Sequence, residues 1–161
     1  MHVQPSKNNY GDIGFEALFN SASLGIIVVN QGGIIVMANQ YANNLFAYYD
    51  ESMIGEVLEK LIPQRFHHNH VGYRDGYIHK PQARSMGLGM TLSAQRKDGT
   101  EFPVEVNVLP IELQGRMLLF NSSRDITQRA QAEQDLVQSH DKLNALNASL
   151  EARVTMRTYE L

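Results

Sequence analysis

Apolar residues change periodicity repeatedly along the first third of the chain. In residues 15–21 they recur at the i, i+3, i+4 spacing of a helix with one buried face. Residues 24–30 and 34–38 are two apolar runs rich in β-branched side chains, and Gln-Gly-Gly separates them at 31–33. This pattern predicts an N-terminal helix followed by a β-hairpin.

The segment from the hairpin to Pro63 predicts short helices and no strand. Asn39 follows the second strand, and an Asn side chain can accept a free backbone N–H in the first turn of a helix. Tyr41, Leu45 and Phe46 then fall on one face of a short helix. We therefore expect a capped helix that begins at Asn39.

Residues 64–78 predict a longer helix with one distinctive face. Phe66, His70, Tyr73 and Tyr77 are separated by four, three and four residues, so they share that face. His70 is consequently the polar side chain that we expect to point into the interior.

The next segment has the period-two alternation of strands. Residues 87–95 predict one strand, and residues 102–109 and 117–124 predict two more. Asp98-Gly99 favours a type I′ turn between the first two, because both central residues of that turn need positive φ. A further turn is predicted at residues 114–116.

Two strands before the helices and three after them predict an α+β fold. Its five-stranded antiparallel sheet has the helices inserted between strands 2 and 3, where they cover one face. The candidate ligand pocket lies between helix 64–78 and the sheet. Its expected lining is Phe66, His70, Tyr73, Tyr77, Leu88, Met90 and Leu92.

Residues 126–161 contain no Gly or Pro and predict one long polar helix. A narrow apolar seam at heptad a and d positions suits the pairing of two helices. Arg129 and Ser139 interrupt the seam, and a four-residue step to Val154 is a stutter. The alternative is a helix that folds back on its own domain. The seam residues are Ala132, Leu136, Leu143, Leu146 and Leu150.

Composition excludes several classes of protein. The 161 residues suit one small domain plus an extension, and a net charge of -3 gives no large basic surface for nucleic acid or anionic membrane. The absence of cysteine excludes disulfides, thiolate metal sites and flavin chemistry through a cysteinyl adduct. No apolar run approaches the ~18 residues of a membrane span, so we expect a cytoplasmic segment, whose parent could be anchored elsewhere.

Several short motifs are spread along residues 15–127. They are Gly25-Ile26, Asn39, Met53-Ile54-Gly55, Arg96-Lys97-Asp98-Gly99-Thr100 with Phe102-Pro103-Val104-Glu105, and Arg124-Asp125-Ile126-Thr127. Together these motifs resemble the PAS domain family, which implies the PAS fold and a sensory role. The resemblance implies a polar N-terminal segment at 1–14, a PAS domain at 15–127 and a coiled-coil signalling helix at 128–161.

The end of the chain is similar to the connector before the phosphoacceptor helix of bacterial histidine kinases. The sequence has no Gly-rich phosphate loop and no catalytic constellation, so we expect no enzymatic activity in this chain. The resemblance implies a parent that is a two-component sensor histidine kinase.

We expect a homodimer formed through the N-terminal helix and the seam, with the downstream kinase or another effector module as the partner within the polypeptide. Asp125 would cap the outgoing helix while its carboxylate reaches a basic or amide group of the domain, and Thr127 would hold the first turn. The relay would then continue through the seam at Leu136, Leu143, Leu146 and Leu150.

The cofactor is left open by the sequence. His67 and His70 could share a metal, but no thiolate or carboxylate cluster accompanies them, which argues against zinc. In oxygen-sensing haem kinases of the PAS family an inward histidine binds haem b, and His70 matches that position. Those proteins place an Arg on the next strand where this chain has Met90, whose thioether cannot donate a hydrogen bond. The alternatives are a small-molecule ligand and a cofactor-free interaction domain.

Overall fold

The computed structural model describes residues 10–72, 84–86 and 92–160. The chain divides into two units, Met1–Asp125 and Ile126–Leu161. Each unit is described by itself below.

The first unit holds a helix, a hairpin, short helical segments and then four strands. In chain order they are α1 Tyr10–Ser21, β1 Gly25–Val29, β2 Ile35–Ala38, α2 Gln40–Leu45, the 3-10 turns Leu58–Leu61 and Gln64–Phe66, the helical residues 67–72 (α3), β3 Arg84–Met86, β4 Leu92–Gln95, β5 Glu101–Leu113 and β6 Arg116–Asp125. The predicted hairpin and the helical segment before Pro63 are confirmed. Helix α1 begins five residues earlier than its apolar spacing indicated.

The strands form one antiparallel sheet in the order β2-β1-β6-β5, and both β3 and β4 pair with β5. β3 lies against residues 106–108 and β4 against residues 101–104, so the two short strands share one position in the sheet. The predicted five-stranded α+β sheet is confirmed in this sense. Of the predicted strand 87–95, residues 87–91 lie outside the described residues.

The hairpin predicted at Asp98-Gly99 is confirmed, because β4 and β5 pair antiparallel on either side of it, but the predicted type I′ geometry of its turn is wrong. Only Gly99 has positive φ there, at 88°, and its N–H donates to the Arg96 carbonyl at 2.9 Å. Asp98 instead accepts hydrogen bonds from the N–H and the hydroxyl of Thr100, which holds Asp98 at negative φ. The turn with two positive φ values joins β5 to β6, at Gln114 with 51° and Gly115 with 72°.

The core lies between the sheet and the helical segments that follow β2. Helix α2 packs closely on β1, because a Cβ added to Gly25 would come within 3.2 Å of Leu45 Cδ2. Residues 55–58 run beside β2, where Gly55 N–H donates to the Ile35 carbonyl at 2.8 Å and Ile35 N–H donates to the Glu56 carbonyl at 2.9 Å. The largest buried core side chains include Ile27, Val29, Ile35, Phe46, Met53, Leu61, Phe102, Val104 and Leu119.

The second unit is one helix, α4 Thr127–Tyr159, of 33 residues. At about 1.5 Å per residue it is roughly 50 Å long, as expected for the predicted polar helix. None of its residues is buried, and the four seam leucines Leu136, Leu143, Leu146 and Leu150 are 48–70% exposed. No helix in the described part of the chain is long and apolar enough to cross a membrane.

Candidate functional site

Asn39 joins α1, β1 and α2 through one fully buried side chain. Its Oδ1 accepts the N–H groups of Ile26 and Ala42 at 2.9 Å, and the second bond caps α2 as predicted. Its Nδ2 donates to the carbonyls of Phe19 and Leu24, also at 2.9 Å. The predicted cap is therefore also the link that ties the end of α1 to the sheet.

The predicted helix over residues 64–78 does not begin as an α-helix. Gln64–Phe66 forms a 3-10 turn after Pro63, and α-helical structure follows only from residue 67. Phe66 is 40% exposed, and the guanidinium of Arg65 lies 4.6 Å from the centre of its ring. Tyr73 and Tyr77 lie outside the described residues.

His70 lies on α3 beside a buried carboxylate. Its Nδ1 is 3.3 Å from Oε1 of Glu59, whose side chain is only 10% exposed. Glu59 comes from the 3-10 turn Leu58–Leu61, a placement that the sequence pattern did not predict. His67, in contrast, places Nε2 2.6 Å from the Ile62 carbonyl. The two histidines therefore have different roles at the start of α3.

Three residues, Leu88, Met90 and Leu92, were predicted to line the strand side of the pocket, and the structure describes Leu92. It is half-buried, pairs with Val104 across β4 and β5, and packs against the core. Leu88 and Met90 lie outside the described residues. An open groove of about 480 Å³ lies elsewhere, between α1 and β2, and is lined by Phe15, Glu16, Phe19, Asn20, Met37 and Ala38.

Arg96 connects the end of α2, the core and the last residue of the sheet. Its Nε donates to the Leu45 carbonyl at 3.2 Å, and its guanidinium lies 4.1 Å from the centre of the buried Phe102 ring. Its Nη2 donates to Oδ2 of Asp125 at 3.2 Å. We call these four residues, Arg96, Leu45, Phe102 and Asp125, the Arg96 cluster.

The sequence predicts that the Asp125 carboxylate reaches a basic or amide group, and in the structure that group is the Arg96 guanidinium, which the sequence pattern did not identify. The two residues are 29 positions apart, and only the pairing of β4, β5 and β6 brings them together. Helix α4 begins at Thr127 with Ile126, not Asp125, at its cap position. The backbone of Ile126 therefore separates the Arg96 cluster from the first helical residue.

Two charged contacts join the β4–β5 turn to the helical segments. Both guanidinium nitrogens of Arg65 donate to Glu101 at 2.6 Å, and this bonding lowers the pKa of the Glu101 carboxyl. Lys97 donates to Glu51 at 2.5 Å, which lowers the pKa of the Glu51 carboxyl. Burial raises the pKa of the nearby Tyr48 phenol.

Among residues 10–72, 84–86 and 92–160, no three His, Cys, Asp or Glu side chains form a metal-binding cluster. The Nδ1 contact with Glu59 does fit one property of a haem-ligating histidine, because such residues donate their second ring nitrogen to a carboxylate or carbonyl. The described donor set is thus compatible with a single axial ligand and not with a multidentate metal site.

A family model described as a PAS domain matches residues 23–128. Two curated relatives are each 25% identical to the chain. Sensor protein FixL of Bradyrhizobium diazoefficiens aligns over 73% of the chain and 23% of its own length, and oxygen sensor protein DosP of Escherichia coli over 83% and 17%. The chain therefore spans less than a quarter of the length of these relatives.

Solved structures share the fold. The PAS domain of an HTR-like protein from Haloarcula marismortui has a TM-score of 0.60 and 24% identity, and covers 71% of this chain and 90% of its own. The PAS domain of a protein from Colwellia psychrerythraea has a TM-score of 0.62 and 19% identity, and covers 72% of this chain and 97% of its own.

Proposed function

Because the chain belongs to the PAS domain family, we propose that it is the sensory input domain of a longer signalling protein. Two relatives are named as sensor proteins, and the chain aligns to only 23% and 17% of their lengths. In this proposal the parent is a bacterial two-component sensor histidine kinase and this chain carries no catalytic residue. The domain acts in the cytoplasm, without direct contact to nucleic acid or membrane.

The Arg96 cluster is the observation that supports a relay through the end of the sheet. Phe102 packs in the core and Leu45 belongs to α2. The guanidinium group of Arg96 contacts both residues. The same guanidinium holds Asp125, the residue that precedes the Ile126 cap position. A ligand that displaces α2 or Phe102 would therefore change the strain on the backbone that enters α4.

Homodimerisation through α1 and the α4 seam is the second part of the proposal. On α1, Phe15 and Leu18 are 55% and 73% exposed, and the seam leucines are exposed as well. Burying each leucine fully would contribute about 1.5–3 kcal/mol. Sedimentation equilibrium of the 161-residue chain should give a dimer mass at tens of micromolar, and a monomer mass would contradict this part.

The relay is tested in the full-length parent by changing the phase of the helix. Deleting seven residues within 132–150 returns a and d positions to register and should leave output regulated. Deleting four should misorient the segment after Leu161 and fix output in one state. Identical regulation after both deletions would mean that α4 is a passive tether.

A matched pair of variants tests the Arg96 cluster itself. Asp125→Ala removes one partly buried contact, worth about 1 kcal/mol, and should leave the fold intact while weakening the response. Glu101→Ala removes an exposed contact of similar type on the neighbouring strand and should leave the response unchanged. Equal responses from the two variants would argue against the relay.

The second candidate function is a haem-binding gas or redox sensor with His70 as the axial ligand. The position of Nδ1 beside Glu59 and the relative named as an oxygen sensor favour this candidate. Haem would supply an iron centre whose spectrum reports ligand and redox state. Glu59 would orient the His70 ring, and half-buried Leu92 would belong to the apolar wall.

Hemin titration distinguishes this candidate from a cofactor-free interaction domain. Specific binding predicts a sharp Soret band that His70→Ala abolishes and His67→Ala retains, because His67 Nε2 already contacts the Ile62 carbonyl. Equal bands in both variants would indicate nonspecific haem. A purified protein without visible absorption or hemin affinity would favour a small-molecule ligand or the interaction domain.

A further inference from the structure

The exposed seam of α4 specifies how a second copy can align. Helices in parallel and in register place Leu136, Leu143, Leu146 and Leu150 each against its own equivalent. A slide of one heptad would place Ser139 against Leu146. An antiparallel arrangement would place the Ser139 of each copy against a leucine of the other copy. The in-register parallel arrangement confines the polar interruptions to two layers, one of two Ser139 residues and one of two Arg129 residues near the start of the helix.

The flanking positions of the same heptads add one pair of complementary charge. In a parallel coiled coil a g residue faces the e residue five positions later on the other helix. That rule matches Asp135 with His140 of the second copy. The other g and e residues of these heptads match without opposite charges: Gln128 with Glu133, Lys142 with Asn147, and Ser149 with Val154.

Both members of the pair have positions fixed within their own helix. Gln131 Nε2 donates to Oδ1 of Asp135 at 2.9 Å, which leaves Oδ2 as a further acceptor. Nδ1 of His140 lies 3.3 Å from Nδ2 of Asn144 in the same helix, which leaves Nε2 as the ring nitrogen for a bond to another molecule. One hydrogen bond from Nε2 to the second copy is therefore compatible with the side-chain contacts of α4.

We propose that α4 binds the α4 of a second copy in parallel and in register, with Asp135 of each helix paired to His140 of the other, so that protonation tightens the dimer. This inference rests on the dimer of the proposed function and adds its orientation and its response to pH. The other charged groups near His140 are Asp141 and Glu133 of its own helix and Lys142 of the second copy. Along the axis Glu133 is one heptad away, roughly 10 Å, whereas Lys142 of the second copy is only two residues away, roughly 3 Å, although its own g–e partner is Asn147.

The charge of the His140 imidazole determines whether the dimer affinity rises or falls with pH. The Nε2–H of a neutral ring can also donate to Asp135, but only a protonated ring adds an attraction between opposite charges, so this added affinity is present at low pH and is lost as the pH rises and the imidazole loses its charge. Each dimer contains two such exposed pairs. We expect the dimer dissociation constant to be about three- to fivefold smaller at pH ~5.5 than at pH ~8.

The experiment measures dimer dissociation at both pH values by sedimentation equilibrium of the 161-residue chain. Asp135→Asn and His140→Gln should each remove the pH-dependent gain, and the double variant should lose no more than either alone. Exchanging the two residues, Asp135→His with His140→Asp, should restore the gain. Coupling at low pH that disappears at high pH is the expected signature.

Single cysteines introduced into this cysteine-free chain test the parallel dimer separately from the Asp135–His140 pairing. Leu143→Cys should form a disulfide between copies under mild oxidation, whereas Asp141→Cys, on the opposite face, should not. If crosslinking of Leu143→Cys depends on pH to the same extent with and without Asp135→Asn, the charge pairing is overturned and the proposed dimer stays intact. A monomer without Leu143→Cys crosslinking would overturn both.

Discussion

Replacing Asn39 by Ala should destabilise the first unit more than most single substitutions. The side chain is fully buried and makes four hydrogen bonds of 2.9 Å. Each such bond contributes about 1 kcal/mol net, so we expect the free energy of unfolding to fall by about 3–5 kcal/mol. That is a large part of the ~5–15 kcal/mol stability of a typical domain.

Urea unfolding followed by tyrosine fluorescence is a suitable assay, because the chain has seven tyrosines and no tryptophan. Asn44→Ala is the matched control: it removes an Asn of the same short helix that is exposed and bonds only the side chain of Gln40 in the structure. We expect the control to change stability by less than about 0.5 kcal/mol.

The Asn39→Asp variant distinguishes the hydrogen bonds that the Asn39 side chain accepts from those that it donates. The carboxylate can still accept from Ile26 and Ala42, but it also faces the carbonyls of Phe19 and Leu24, which repel its charge. The pKa of this introduced carboxyl should therefore be raised in the folded state. Its destabilisation relative to wild type should be smaller near pH ~4.5 than near pH ~7.5, because the folded state binds the extra proton.

A cost for Asn39→Ala no larger than that for Asn44→Ala would refute this reasoning. So would an Asn39→Asp variant whose loss relative to wild type is independent of pH. Either result would mean that the four bonds add little beyond the contacts that already hold α1, β1 and α2 together.

Three further predictions concern turns, packing and charge. Gly25→Val should lower the urea midpoint strongly, because even a Cβ at this position lies within 3.2 Å of Leu45. Gly115→Ala should cost about 1–2 kcal/mol in the same assay, since its φ is 72°. The lowered pKa of Glu101 means that its contact with Arg65 stabilises the fold above the unfolded carboxyl pKa and is lost as pH falls through the lowered value. Glu101→Gln should flatten stability against pH in that acidic range, slightly, because both groups are solvent-exposed.

Local pattern was sufficient for much of the fold. The period-two runs located β5 and β6, and Asn39 was identified as a cap because capping is a property of adjacent residues. The hairpin at Asp98-Gly99 was predicted correctly but its turn type was not, and the reason is local as well. The Asp98 side chain folds back onto Thr100, and this competes with the type I′ geometry that the dipeptide alone suggests.

The site was less accessible to sequence reasoning because it depends on pairs far apart in the chain. Glu59 and His70 are 11 residues apart on separate helical segments, and Arg96 and Asp125 meet through strand pairing. Phe66 was assigned to the interior because a continuous helical period was assumed. A 3-10 turn follows Pro63 in place of the first turn of that helix, and the Phe66 side chain is 40% exposed.

Residues 55–58, which run beside β2, limit how the molecule can associate with other molecules. An outer strand normally offers its backbone groups to strands of other molecules, which is a route to aggregation. Here the N–H and carbonyl of Ile35 are already bonded to residues 55 and 56. A foreign strand therefore cannot pair with β2 at Ile35, and strand addition along the whole of β2 would first require residues 55 and 56 to be displaced.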